Sequence, residues 1–237
     1  MKTIGLIGGM SWESSLEYYR ILNETVRTRL GGLHSAKCVM VSVDFAEIET
    51  LQHTGHWEKA GQILAEAASS LERAGADCVV LCTNTMHKLA GAIQAAVSIP
   101  FLHIADATAL RVQASGLRKI GLLGTRFTME EDFYKARLTA NFGLEVLIPG
   151  QTERQLVHDV IYQELCLGII RSGSKASYRE IIAELVRQGA QGIILGCTEI
   201  GLLVKPEDSP LPLFDTTRIH AEAAVDWALA TPQSKEN

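Results

Sequence analysis

The chain repeats itself. Leu71–Thr83 (LERAGADCVVLCT) matches Leu185–Cys197 (LVRQGAQGIILGC) without a gap. Each copy reads as the end of an amphipathic helix, a Gly-Ala turn and an apolar run. Other landmarks recur in the same order: Ile4-Gly5-Leu6-Ile7-Gly8 returns as Ile120-Gly121-Leu122-Leu123-Gly124, and Ile99-Pro100-Phe101 as Leu211-Pro212-Leu213. A period of about half the chain points to one structural unit used twice. The ungapped match sets Thr83 opposite Cys197, so the two residues are expected at equivalent places in the two units.

The apolar runs are Thr3–Ile7, Cys38–Val43, Asp77–Leu81, Phe101–Ile104, Lys119–Leu123, Leu144–Ile148, Gly192–Leu195 and Leu211–Phe214. They are short, continuous and rich in Val, Ile and Leu, as strands buried on both faces are. Amphipathic stretches lie between them: Glu13–Leu30, Trp57–Ala74, Met129–Asn141, Glu153–Leu167 and Tyr178–Gln188. Such alternation predicts an α/β fold: two pseudo-symmetric lobes of parallel sheet flanked by helices, joined by right-handed crossovers. The first lobe is expected over residues 1–98 and the second over 99–212, with residues 213–237 as a C-terminal helix returning toward the first. Asp44–Gln52 reads as a loop after the second strand.

Open α/β sheets bind ligands beyond the carboxyl ends of their strands. Two facing lobes therefore predict an active site in the cleft between them. The strand ends that would line it are Gly8-Gly9-Met10-Ser11, Leu81-Cys82-Thr83-Asn84-Thr85, Gly124-Thr125-Arg126 and Gly196-Cys197-Thr198-Glu199. They are small and polar, which suits backbone N–H groups and hydroxyls that hold an anion. The first lacks the GxGxxG spacing of a dinucleotide loop, and no P-loop lysine is present. Ser11 can hold a carboxylate, cap the helix that follows, or both.

Composition narrows the chemistry. A net charge of −5 argues against nucleic acid as a partner. No run of apolar residues is long enough to span a membrane. The five cysteines, Cys38, Cys78, Cys82, Cys166 and Cys197, are dispersed and lack CxxC spacing, so neither a disulfide framework nor a metal site is expected. A reducing cytoplasm fits. Cys38, Cys78 and Cys166 fall within apolar patterns and read as core. Cys197, at a strand end before a helix, is placed where a thiol has a lowered pKa. In the partner segment two residues compete. Cys82 has the better acid–base group and Thr83 the better position, and successive strand residues point to opposite faces. His87 is placed to polarise a neighbour or to act through hydrogen bonds alone. Arg126, Arg171 and Lys175 are the cations near the predicted loops.

Three segments, Ile4–Met10, Cys82-Thr83-Asn84-Thr85-Met86-His87 and Gly196-Cys197-Thr198-Glu199, resemble the aspartate/glutamate racemase family, and the similarity runs over essentially the whole chain. The resemblance implies an isomerase that acts on a small amino acid as a homodimer, without pyridoxal phosphate, other cofactor or metal. One residue on each lobe would exchange a proton with one face of the α-carbon. The family pattern Cys-Asn-Thr-x-His has threonine here in place of the first cysteine, with Cys82 one position early. The resemblance therefore assigns the proton transfer to Cys197 and Thr83, with Cys82 as the competing catalytic residue, and implies preference for L-substrates. Substrate would be held by Met10, Ser11, Gln52, Thr83, Asn84, Thr85, Thr125, Arg171, Thr198 and Glu199. Gln52 and Arg171 stand where aspartate-specific members place an arginine and a lysine, so aspartate, glutamate and a neutral polar amino acid are all open. The same fold also implies two other activities: a decarboxylase or cis–trans isomerase, and a non-catalytic amino-acid-binding protein.

Overall fold

The computed structural model describes residues 1–230. The first half runs β1 (Ile4–Gly8), α1 (Trp12–Leu30), β2 (Cys38–Ser42), α2 (Phe45–His53), α3 (Trp57–Arg73), β3 (Cys78–Leu81), a 3-10 turn (Thr85–Leu89), α4 (Ala90–Ala95), β4 (Phe101–Leu102) and α5 (Ile104–Ala114). The second half runs β5 (Lys119–Gly124), α6 (Arg126–Glu130), α7 (Asp132–Phe142), β6 (Glu145–Leu147), α8 (Gln151–Gln163), a 3-10 turn (Leu165–Leu167), α9 (Ser172–Arg187), β7 (Gly192–Gly196), α10 (Ile200–Leu203), a 3-10 turn (Pro206–Asp208), β8 (Leu213–Asp215) and α11 (Thr216–Leu229).

The strands form two parallel four-stranded sheets, ordered β2-β1-β3-β4 and β6-β5-β7-β8. The repeat is thus a structural one. Val79 pairs with Phe101 in the first sheet as Ile193 pairs with Leu213 in the second. The innermost strands β1, β3 and β7 are buried along their whole length, which is why they read as unbroken apolar runs. Glycine lets the central strands of the second sheet meet closely: a Cβ on Gly196 would lie 2.9 Å from the Leu123 carbonyl oxygen. Gly9, at the end of β1, has φ +94°, and a Cβ there would lie 2.1 Å from the Val43 carbonyl oxygen.

Both sheets run past the boundaries expected at residues 98 and 212. Phe101–Leu102 belongs to the first sheet and Leu213–Asp215 to the second, so each crossover follows a fourth strand instead of preceding it. Helix α11 buries Ala221, Ala224, Val225 and Ala228 against Tyr18, Leu22 and Val26 of α1. Residues 231–237 of the expected terminal helix lie outside the described residues.

The segment expected as a loop after β2 is the helix α2. Asp44 caps it, its carboxylate accepting from the Ala46 N–H at 3.1 Å, and Phe45, Ile48 and Leu51 give it an inward stripe at helical spacing. The acidic residues between them had masked that period. The helix expected over Met129–Asn141 is split, because Glu131 is extended (φ −81°, ψ 153°) between α6 and α7. Among the described residues, no helix is long and apolar enough to cross a membrane.

Candidate active site

The carboxyl ends of the inner strands converge on one narrow pocket, lined from the first lobe by Met10, Phe45, Gln52, Thr83, Asn84 and Thr85. Thr125, Ile161, Tyr162, Cys166, Gly196, Cys197, Thr198 and Glu199 line it from the second. Thr83 and Cys197, paired by the sequence repeat, both face this space and are each 8% exposed. Cys82 does not. Its side chain is 0% exposed and sits in the cluster formed by Tyr18, Leu22 and Ala221 behind the sheet. Just past the end of β3 the two neighbours part: Thr83 faces the cleft and Cys82 faces the core.

Glu199 organises the second-lobe side. Its Oε1 accepts from the Ser11 hydroxyl at 2.7 Å, and its Oε2 accepts from the Thr198 hydroxyl at 2.6 Å and the Cys197 thiol at 2.9 Å. Ser11 does two jobs. It reaches Glu199 across the cleft and also caps α1, accepting from the Ser14 N–H at 3.4 Å. The lowered thiol pKa expected for Cys197 is corrected here. Burial and then the adjacent Glu199 carboxylate push the Cys197 thiol well above its ordinary value. The helix that was to stabilise a thiolate, α10, spans only Ile200–Leu203, while a carboxylate stands in contact with the sulfur. The site instead places a proton acceptor on the thiol.

The first-lobe side is neutral. The Asn84 Nδ2 donates to the Thr216 hydroxyl at 3.0 Å, and that hydroxyl donates to the Leu195 carbonyl at 2.8 Å. This chain fixes the amide orientation and leaves Asn84 Oδ1 buried without a hydrogen-bond partner among the described residues. Such an acceptor is costly unless a donor arrives. Thr85 and Thr125, one from each lobe, hold their hydroxyls 2.9 Å apart. His87 lies behind Thr83, its Nδ1–H donating to the Thr83 carbonyl at 2.7 Å while Nε2 accepts from the Ile104 N–H at 3.2 Å.

Arg171 is not brought to the pocket. It stands at the start of α9 with its side chain 64% exposed, 3.5 Å from Glu164. Lys175 pairs with Asp208 at 2.8 Å. Arg126 lines a separate open groove of about 770 Å³ with Glu130, Gln151 and Asp159. Among the described residues, no lysine or arginine lines the pocket. Four lining side chains were not singled out from the sequence: Phe45, Ile161, Tyr162 and Cys166. The first three read as the apolar stripe of a helix or as loop, and nothing local distinguishes a stripe residue that meets a cleft from one that meets a sheet. Cys166, read as core, is only partly buried and borders the pocket.

A model of the Asp/Glu/Hydantoin racemase family matches residues 7–224. The chain is 26% identical over 174 residues to the broad specificity amino-acid racemase RacX of Bacillus subtilis, covering 70% of this chain and 71% of RacX. Among solved structures it is similar to a Yersinia pestis protein regarded as a candidate Asp/Glu racemase, at 58% identity and a TM-score of 0.91, over 97% of this chain and 100% of that one. It is also similar to PH1733, an aspartate racemase homologue from Pyrococcus horikoshii, at 36% identity and a TM-score of 0.83, over 96% and 99% of the two chains.

Proposed function

Because the chain belongs to the Asp/Glu/hydantoin racemase family, and is thereby an isomerase, we propose that it interconverts L- and D-amino acids by proton transfer between Cys197 and Thr83. The observation that carries this reading is the convergence of those two side chains, from equivalent strand ends, on one pocket, with Glu199 in contact with the thiol. Glu199 takes the thiol proton. The resulting thiolate removes the α-proton from the L face, and the Thr83 hydroxyl protonates the opposite face. The Thr83 alkoxide then regains a proton by way of solvent as Cys197 and Glu199 reset. The hydroxyls of Thr85 and Thr125 suit the α-carboxylate, where charge grows in the transition state. The unpartnered Asn84 Oδ1 suits the α-ammonium. An ammonium acceptor favours an amino acid over the ammonium-free substrates of a decarboxylase.

Among the described residues no lysine or arginine lines the pocket wall, which argues for breadth in the substrate side chain and against strict aspartate specificity, because a distal carboxylate buried without a cation is costly. The L-preference takes a particular form. Racemisation has an equilibrium constant of one, so kcat/KM for the two enantiomers must be equal. Asymmetry can appear in kcat and KM separately, and in exchange without inversion. Cys197, the stronger base when ionised, returns solvent deuterium to the L face more often than Thr83 completes the inversion.

Proton NMR in deuterated water tests this with a panel of L- and D-amino acids. Loss of the L α-proton signal is expected to outpace formation of the D enantiomer. Thr83→Ala should slow inversion by about a hundredfold or more while exchange into the L substrate continues. Cys82→Ala should keep both. Inversion intact in Thr83→Ala and lost in Cys82→Ala would transfer the role to Cys82. Binding without exchange for every amino acid would leave a binding protein.

The reading extends to a homodimer. Trp12, Leu16 and Tyr19 lie on one face of α1 and are 65%, 57% and 51% exposed, an apolar stripe of the kind that marks an association surface. Sedimentation at micromolar concentration should give twice the 25.8 kDa chain mass, and a monomer would refute the dimer.

A further inference from the structure

Tyr162 reaches across the cleft. It belongs to α8 of the second lobe, yet its hydroxyl donates to Gln52 Oε1 of α2, in the first lobe, at 2.9 Å. Its ring stacks on Phe45 of the same helix (centroids 6.5 Å, planes 19° apart), meets His53 edge-on at 5.7 Å and is backed by His158 at 4.8 Å. The Gln52 amide Nε2 is in turn directed to the Met86 sulfur at 2.8 Å, a weak acceptor that a better one can displace. Both residues line the pocket. They are held to each other by one neutral hydrogen bond and, on Gln52, one soft contact.

This pair has spare capacity of a definite kind. The Tyr162 oxygen donates once and can still accept. The Gln52 amide can turn an N–H from sulfur to oxygen. Together they offer one acceptor and one donor without charge, on a ring locked by three aromatic neighbours. We propose that Tyr162 is a specificity-determining residue that, with Gln52, reads the distal atom of the substrate side chain and favours neutral hydrogen-bonding groups, hydroxyl or carboxamide, over apolar side chains of equal length. The inference rests on the racemase reading of the pocket. Carboxylates are disfavoured here because the Tyr162 hydroxyl already gives its proton to Gln52 and presents a lone pair, and among the described residues no cation lines the pocket to neutralise the added charge. The aromatic contacts also make Tyr162 a latch between the lobes, so the group that reads the side chain also closes the cleft over it.

The test separates the two layers. Calorimetric Kd values for L-homoserine, L-glutamine and L-norvaline, with α-proton exchange for each, are measured on the wild-type chain, Tyr162→Phe and Gln52→Leu. In Tyr162→Phe, which keeps the ring and its packing, the affinity ratio of homoserine to norvaline should fall about tenfold, as one hydrogen bond to a neutral group is lost. Gln52→Leu should lower the same ratio, and the double variant should fall about as far as the more damaging single variant, well short of the sum, since the two side chains act as a unit. If the ratio moves by less than twofold in Tyr162→Phe, or if the affinities for polar and apolar substrates fall together, Tyr162 does not read the side chain. If the wild type binds and discriminates but exchanges no α-proton, the racemase reading fails while the assignment of Tyr162 stands. Binding of none of the three overturns both.

Discussion

Cys197→Ser should lower α-proton exchange and inversion by about a thousandfold or more, with the fold unchanged by circular dichroism. The proposed abstraction needs a thiolate, and a serine hydroxyl is far too weak an acid to be ionised by a carboxylate. The geometry makes the loss larger than a change of base strength alone. The thiol is buried and its pKa is driven up first by burial and then by Glu199, so in the proposed mechanism a thiolate forms only when Glu199 Oε2, 2.9 Å away, takes the proton as substrate arrives. Glu199→Gln separates this role from a merely structural one. The amide keeps the shape of the carboxylate and cannot accept the proton. Its exchange rate should fall at neutral pH and recover in part as pH rises, because hydroxide then removes the thiol proton and the repulsive carboxylate is gone. A loss confined to KM and flat with pH would mean that Glu199 only binds the α-ammonium. More than a tenth of wild-type exchange in Cys197→Ser would remove Cys197 from the chemistry.

The fold was legible because its signal, an apolar run at each strand, is local and repeated. A buried parallel strand has no solvent face, so it announces itself as an apolar run whatever surrounds it, and all eight strands appear where those runs lie. The helices were less legible where polar residues interrupt the stripe, as in α2, where Glu47 and Glu49 conceal Phe45, Ile48 and Leu51. The site divides the same way. Residues at strand ends, Thr83, Asn84, Thr85, Thr125 and Cys197–Glu199, are placed by the sheets and were legible in advance. Of the residues supplied by helices, Gln52 was proposed from a family position, while Phe45, Ile161 and Tyr162 were not legible. Tyr162 lies 110 positions from Gln52, and nothing in either local sequence encodes their meeting. Arg171 is the converse case: alignment to a family position proposed it, but the start of α9 turns the side chain to solvent beside Glu164.

Acid should unfold this protein earlier than its carboxylates alone would require, through three buried histidines. His87, His103 and His220 form a cluster where three segments meet: the turn after β3, the crossover at β4–α5, and α11. His87 lies 4.5 Å from His103 and 5.8 Å from His220, ring centre to ring centre. Each ring must be neutral. His220 Nε2–H donates to the Leu102 carbonyl, so its Nδ1 accepts from the Tyr18 hydroxyl, both at 2.8 Å. His103 Nδ1 accepts from the Ala105 N–H at 3.2 Å, and His87 Nε2 accepts from Ile104. A second proton on any ring would point at a donor. Burial is the leading cause that drives the His103 pKa down to about 3, with Arg137 lowering and Asp106 raising it, and the His220 pKa down to about 4. His87 is likewise well below the ordinary value, from burial and its two histidine neighbours. In the unfolded chain these residues titrate near pH 6.5. As pH falls below that value the unfolded state takes up protons that the folded state refuses, and stability is lost until the folded pKa values are reached. Between pH 6 and 5, His103 and His220 alone remove about 2 kcal/mol, a large share of a typical 5–15 kcal/mol. Asp215, raised by burial, opposes this only at lower pH. Urea melts at pH 7, 6 and 5 measure the slope, and His220→Gln should flatten it by roughly a third if the wild-type fold is kept. Equal stability at pH 7 and 5 would show that the rings are solvated or already charged. Because His87 holds the Thr83 carbonyl, protonation of the cluster should release the Thr83 turn and the inter-lobe crossover together.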